Sequence, residues 1–436
     1  MSIPTQNLHI TPSNVLSSGK ISYKSGNPVI QFIIGEQSRA LLGQSIRVCG
    51  DLRIFKNSAG DLSLTTDTLT MNPRIGAYAL IDQLVIKSQK THAVIEHIRH
   101  YGRAMASFLP YSANLEDEIG HMSETTLTMP NERTMKSSVV AIPTGKTSAN
   151  SFCMHLPCGL FNGTSAIPLD LVGGLLVEIH LAPDQNVLCD TSGLTTNYPN
   201  AFYELQNVFL CAEAQVVSSP PAVSTFEYNS LSTYFSSFNS TNAIINFNLG
   251  LNNVLSVFAN TIPASHINNL GFDGFSTMPP VNKDGSVANI RQIIFTRGGE
   301  KFPIEYNIDT LQQQDPTYRP YDPQLQREGS SAIRKFGKMS RTMVSPNNSF
   351  LQAFGNGTTL VRDDGPTSDY VDGGNCFILG VNYDSISNQG VSFATQNWGM
   401  TMDTGLISDN PQALFLFVHS RNTLVFDGKG GMQVIS

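Results

Sequence analysis

Charge is scarce in this chain. Asp, Glu, Lys and Arg make up 14% of its 436 residues, where about 25% is usual. Small polar residues fill the gap, which suits many loops and large surfaces packed against copies of the same chain, and argues against a highly soluble monomer. Clustered positive charge is lacking too. The net charge of −7 disfavours a protein whose task is to neutralise nucleic acid, and no sequence-specific nucleic-acid binding is expected. No apolar run approaches the ~18 residues of a membrane-spanning helix. Residues 1–20 carry no basic segment followed by an apolar one, so no secretory signal is read there. The six cysteines at 49, 153, 158, 189, 211 and 376 form no Cys-x-x-Cys pair and no zinc-ribbon spacing. They read as buried thiols in a reducing compartment, and the Asn-x-Ser/Thr sites at Asn162, Asn239, Asn347 and Asn356 are then expected to be unmodified.

Catalytic signatures are missing in the same way. Jelly-roll enzymes of the cupin type need a His-x-His pair, which this chain does not have. It has no Gly-x-Ser-x-Gly elbow for a nucleophile. Pro143-Thr-Gly-Lys-Thr147 ends like a phosphate-binding loop, but Val140 stands where the first glycine belongs. Carboxylates on the strand faces, Glu178 and Glu213, are isolated, whereas a glycosidase needs a pair about 5–9.5 Å apart. The acidic groups Glu116-Asp-Glu118 and Asp363-Asp364 lack the spacing of a calcium loop. No enzyme, cofactor or metal site is therefore expected.

What the chain does hold is short strands. Leu175, Val177, Ile179 and Leu181 alternate with Glu178 and His180, and period two marks a half-buried strand. Tyr203–Val217 alternates likewise, as do Ile46–Ile54 and Ala243–Leu251. Apolar runs at 28–34, 80–87, 152–156, 226–238, 254–259, 290–297, 391–395, 398–402, 413–419, 423–426 and 432–435 complete the set. Asn162-Gly163 and five Asp-Gly pairs supply turns. A single amphipathic helix is expected at Thr91–Leu109, where Val94, Ile98, Tyr101, Met105 and Phe108 recur at spacings of four and three. Glu96, Arg99, His100 and Arg103 fall on the opposite side, a solvated or interface face. His92, Glu96 and His100 could share a stripe, but one turn per ligand spreads them too far for one ion. His155 and His180 each lie in a strand.

Short strands, long excursions and no βαβ alternation predict an all-β fold of two tandem eight-stranded jelly rolls, with few short helices. The expected divisions are an arm at 1–20, a first roll at 21–217, a linker at 218–225 around Ser218-Ser-Pro-Pro221, and a second roll at 226–436.

Three stretches carry a resemblance. Leu80–Phe108 looks like a strand followed by a helix. Gly159-Leu-Phe161 leads through Ile167-Pro-Leu-Asp-Leu to Leu175–Ala182. Ile290–Pro303 ends in Gly298-Gly299 and Phe302-Pro303. Together with the closing Leu414–Ile435 hairpin, these resemble the double jelly-roll major capsid proteins of tailless double-stranded DNA viruses, in the virophage and polinton-like virus group. The resemblance implies that two rolls stand for two sixths of a hexagon, so that a homotrimer forms a pseudo-hexameric capsomer tiling an icosahedral shell. Neighbouring capsomers, penton and minor capsid proteins would be the partners. The virion would be the location, after synthesis in the reducing compartment of a host cell. Such contacts are large, above ~2,000 Å², and no residue would be catalytic. The basic cluster Arg334, Lys335, Lys338 and Arg341 could then face packaged DNA, an internal membrane or an acidic patch on the next capsomer, or be an ordinary solvated face. The competing expectation is a carbohydrate- or receptor-binding β-sandwich of the spike or fibre type, for which the lone Trp398 and the tyrosines would be the sugar platforms.

Overall fold

The computed structural model describes residues 5–14, 22–23, 29–36, 38–63, 67–72, 75–112, 150–190, 192, 197–217, 224–272, 274–275, 280, 282–283, 292–302, 307–309, 379–383, 389–406, 409–427 and 431–436. In the first half the principal strands are β1 (Thr5–Ile10), β2 (Val29–Ile34), β3 (Arg39–Phe55), β4 (Ile81–Ser88), β5 (Val94–Arg99), β6 (Asn150–His155), β7 (Leu175–Leu181) and β8 (Phe202–Val216). Helix α1 (Tyr101–Ser112) follows β5. One sheet has the order β1-β8-β3-β6 and the other β2-β7-β4-β5, with every pairing antiparallel. Counted along the chain this is 1-8-3-6 over 2-7-4-5, the wiring of a jelly roll.

The second half repeats it. Its strands are β9 (Thr225–Phe238), β10 (Asn242–Phe247), β11 (Val254–Pro263), β12 (Gln292–Arg297), β13 (Asn307–Asp309), β14 (Leu379–Asn382), β15 (Trp398–Asp403) and β16 (Gln412–Phe426), with β17 (Met432–Ile435) closing the chain against β16. The sheets run β9-β16-β11-β14 and β10-β15-β12, with β13 on the far side of β12. Among the described residues no strand pairing crosses from one half to the other.

Side-chain alternation explains the layers. In β7, Leu175, Val177, Ile179 and Leu181 point into the first core, while Leu176 and His180 are only partly buried. In β10, Ala243 and Ile245 are buried between exposed Asn242, Ile244 and Asn246. Strand β16 departs from this pattern. Phe415 and Phe417 join the core that holds the first roll, whereas Leu414, Leu416 and Val418 belong to the second roll's own core. Both faces of β16 are covered there, so its sequence is continuously apolar rather than alternating.

Several expectations need correction. The segment Thr91–Leu109 is not one helix. Residues 94–99 form edge strand β5, antiparallel to β4, and the helix starts only at Tyr101, after His100 takes a left-handed φ of 52°. The β-branched Val94, Ile95 and Ile98 satisfy a strand as well as a helix, and pairing with β4 decides between them. Thr5–Ile10, inside the expected arm, is strand β1, hydrogen-bonded along β8. Strand β9 begins at Thr225, inside the expected linker. Residues 391–395 make a single bridge, Val391 to Val254, instead of a strand, and the runs at 413–419 and 423–426 are one strand.

Candidate functional site

The feature that organises the molecule is the junction between the rolls. The edge strand β5, the start of α1 and the 157–161 turn lie against β9, β11 and β16. Glu96, only 2% exposed, sits at its centre. On β5 it points away from His97, whose Nε2–H donates to Gln83 Oε1 at 3.0 Å. The Glu96 carboxylate accepts from the backbone N–H of Gly159 and Leu160, each at 2.9 Å, and from that of Leu231 on β9 at 2.8 Å. One side chain thus holds three segments, one of them from the second roll. Burial raises the Glu96 pKa above its ordinary value, although the three N–H donors oppose the shift. Desolvation outweighs them, with no cation among the described residues acting against it.

Around Glu96 the two rolls are joined by further polar contacts. Tyr228 Oη donates to Ile95 O at 2.7 Å, and Arg99 N–H donates to Thr233 Oγ1 at 3.0 Å. Asn260 Nδ2 on β11 donates to Arg103 O at 3.1 Å. The Arg103 guanidinium lies 5.0 Å from the Phe415 ring centre and 5.5 Å from that of Phe275, a cation–π arrangement in a buried place. Gly159 abuts the backbone of Asn229 and Ser230, and a Cβ there would overlap Asn229 O.

A cleft of about 320 Å³ opens beside this junction, lined by Asp82, His100, Arg103, Phe235, Phe275 and Phe415 among others. His100 Nδ1 is 4.0 Å from Asp82 Oδ1, and its ring meets Phe415 edge-on. Burial, then the neighbouring Arg103 and Arg99, lower the His100 pKa, while Asp82 raises it. Asp82 is the one carboxylate among the described lining residues, where a glycosidase needs a pair.

The structure also places the residues singled out from sequence. His92, Glu96 and His100 do not share a stripe: His92 is in the β4–β5 turn, Glu96 in the junction and His100 in the cleft. Glu96 and Arg103, expected on a solvated or interface face of the helix, are both buried at the junction. Glu178 is held by a cation and an amide: Lys87 Nζ is 2.6 Å from it and Gln31 donates to it. Trp398 is fully buried in the second core, with its indole N–H donating to Tyr383 Oη at 2.9 Å. A buried ring is no sugar platform. The basic cluster Arg334, Lys335, Lys338 and Arg341 lies outside the described residues, as do Asp363-Asp364, Glu116-Asp-Glu118 and Pro143–Thr147.

A group that spacing did not reveal lies on the outer face of β1-β8-β3-β6. Cys49 on β3 stands directly across from Cys153 on β6, and Cys211 on β8 lies diagonally from it. The Cys49 Sγ is 3.0 Å from the Cys153 Sγ and 3.9 Å from the Cys211 Sγ. Cys153 and Cys211 are partly exposed rather than buried. The Cys153 thiol is lowered to about 7, first by its hydrogen bond with Cys49 and also by the Arg47 guanidinium, whereas Cys49 is raised by the same pairing. These residues are 104 and 162 positions apart in the chain, and only strand register brings them together.

The wiring defines a double jelly-roll protein, and comparison with solved structures agrees. A chain of the Sputnik virophage structure superposes with a TM-score of 0.60 at 12% identity, over 100% of this chain and 89% of that one. The Faustovirus major capsid protein gives 0.59 at 10% identity, over 98% and 91%. The mavirus major capsid protein gives 0.51 at 11%, over 100% and 91%. No family model matches the sequence, and no curated protein does. The chain therefore shares the double jelly-roll fold with these viral proteins along its whole length.

Proposed function

We propose that this chain is a viral major capsid protein, a structural component of the virion and not an enzyme, which trimerises into pseudo-hexameric capsomers that tile an icosahedral shell. The fold shared with virophage and Faustovirus capsid proteins supports the class. The observation that carries the assembly step is the asymmetry of the junction. The first roll contributes its β5 edge and α1, and the second receives them on the outer face of β9-β16-β11-β14. Contacts between unlike surfaces leave a complement unused at each end. Among the described residues the unused pair is the outer face of β1-β8-β3-β6 and the β13 edge of the second roll. Setting the β13 edge of one chain on that face of the next repeats the internal contact, and six rolls from three chains close a ring.

In this reading the chain divides near 218–225 into two units, and its partners are two further copies, then neighbouring capsomers, penton and minor capsid proteins. The cluster Arg334, Lys335, Lys338 and Arg341 is assigned to the capsomer's interior or its lateral contacts. Light scattering on the eluting peak of a size-exclusion column tests the trimer: a mass three times the 47.4 kDa of the chain is expected, with hexagonal outlines in negative stain. A stable monomer at high concentration would end the proposal.

A further inference from the structure

The three thiols on the first roll form a compact group with no role in the junction or the core. We infer that Cys49, Cys153 and Cys211 bind one thiophilic closed-shell metal ion of the zinc type on the outer face of β1-β8-β3-β6. The three sulfurs lie within 4.8 Å of one another. With sides of 3.0 and 3.9 Å, such a triangle has a point within about 2.4 Å of every corner, close to the zinc–thiolate length of about 2.3 Å, and a tetrahedral ion would spread the Cys49–Cys153 pair to about 3.8 Å. Each sulfur comes from a different strand of one hydrogen-bonded sheet, so the site is set by the ladder and needs no loop to close.

The surroundings suit the ion. Arg47 lies directly across from His155 and Cys211 in the ladder, and its charge offsets the net −1 of three thiolates around a divalent ion. The fourth position opens outward, since Cys153 and Cys211 are only partly covered. Soft ligands select zinc or copper(I) over magnesium or calcium. Three thiolates, with no fourth ligand grouped with them among the described residues, describe an open site, to be completed by water or by a group from whatever docks on this face. The inference does not rest on the capsid reading, because every ligand belongs to one chain. Under that reading, however, the ion would lie where the next chain docks.

The test uses the full-length chain produced in zinc-supplemented medium and purified without chelator. Mass-spectrometric metal analysis should find about one zinc per chain. Exchange into cobalt(II) should give a thiolate-to-cobalt charge-transfer band. Both signals should vanish in C49S/C153S/C211S and persist in C189A, which alters a buried thiol elsewhere in the same roll. C211S alone, at a partly exposed position, should weaken zinc binding at least about tenfold, because losing even an outer-shell partner costs that much. It serves as the readout if the triple variant fails to fold. A folded wild-type chain without zinc or the cobalt band would overturn the inference, as would signals unchanged in the folded triple or C211S variant. A Cys49–Cys153 disulfide in the wild-type protein purified under reducing conditions would overturn it too. Trimer mass is measured separately, so either proposal can fail alone.

Discussion

Strand β3 reads Ile46-Arg-Val-Cys-Gly-Asp-Leu52, with Arg47, Cys49 and Asp51 turned outward, whereas its counterpart β11 is buried along its whole length from Val254 to Pro263. Both are the third strand of a roll and both pair with the eighth. The difference comes from what lies outside them. The second roll's sheet has the first roll's β5 and α1 against it, so its outer face carries Phe258, Ile262, Phe415 and Phe417. The first roll's sheet instead carries Arg47, Asp51, His155 and the three thiols on its outer face. Position in the wiring does not fix the chemistry of a face. Its neighbour does, and the apolar and polar faces distinguish a joint already made from one still open.

Deleting an anchor from the made joint should break this comparison most visibly. Phe417→Ala removes a fully buried ring stacked on Phe258 at 5.2 Å, and a loss of about 3–5 kcal/mol is expected in urea denaturation. Phe209→Ala, on the equivalent outer face of the first roll, should cost about 1 kcal/mol or less in the isolated chain, since Phe209 is only partly buried and stacks on exposed His9. Equal losses would mean that the two faces are equally covered.

Glu96→Ala comes next. It strands the N–H groups of Gly159, Leu160 and Leu231 in a dry junction, at a cost of about 3 kcal/mol. Thermal denaturation followed by circular dichroism reads it directly. The pH dependence has a definite sign. Burial holds the folded pKa above its ordinary 4.5, so this group's stabilising contribution is full below about 4.5. It is lost as pH rises through the folded value. Wild type should therefore lose more stability than Glu96→Ala as pH rises from about 4.5.

His100 has the opposite sign and a smaller effect. Its folded pKa is depressed below 6.5, so its contribution is full above about 6.5 and fades as pH falls through the folded value. The groups facing it are Asp82 from β4, Arg99 from β5 and Arg103 from α1, with the rings of Phe235 and Phe415 from the second roll. His100→Gln should flatten the acid limb of a urea-midpoint profile below pH 6.5. An unchanged limb would show that the cleft does not disfavour the charged ring.

How much of this was legible follows the same division. Alternation in β7 and β10 announced strands because each has one wet face, and turn dipeptides announced their ends. The 1-8-3-6 wiring was recoverable only as a class, from many short strands without helices between them. The β5–α1 stretch misled because Val94, Ile98 and Tyr101 fit a helical stripe, and nothing local shows that β4 offers Val94–Arg99 a ladder. Glu96 read only as part of a polar face, solvated or interfacial, because its donors come from residues 159, 160 and 231. The thiols looked unrelated for the same reason. A spacing rule sees partners a few residues away, while these meet through register across β3, β6 and β8.

The smallest effect expected lies on the first roll's other sheet, and it sharpens the contrast with Glu96. Glu178 on β7 also has carboxylate oxygens fully engaged, with Lys87 Nζ at 2.6 Å and Gln31 Nε2 at 3.1 Å. The Lys87 side chain, however, is 27% exposed and that of Glu178 11%, so water can take the place of a lost partner. Lys87→Ala should therefore cost less than about 1 kcal/mol, and raising the salt concentration should shrink the difference further. The junction carboxylate has no such substitute, since Gly159 and Leu231 are buried where the rolls meet. A Lys87→Ala loss as large as that of Glu96→Ala would mean that accessibility, the property separating the two carboxylates, does not govern what each contributes.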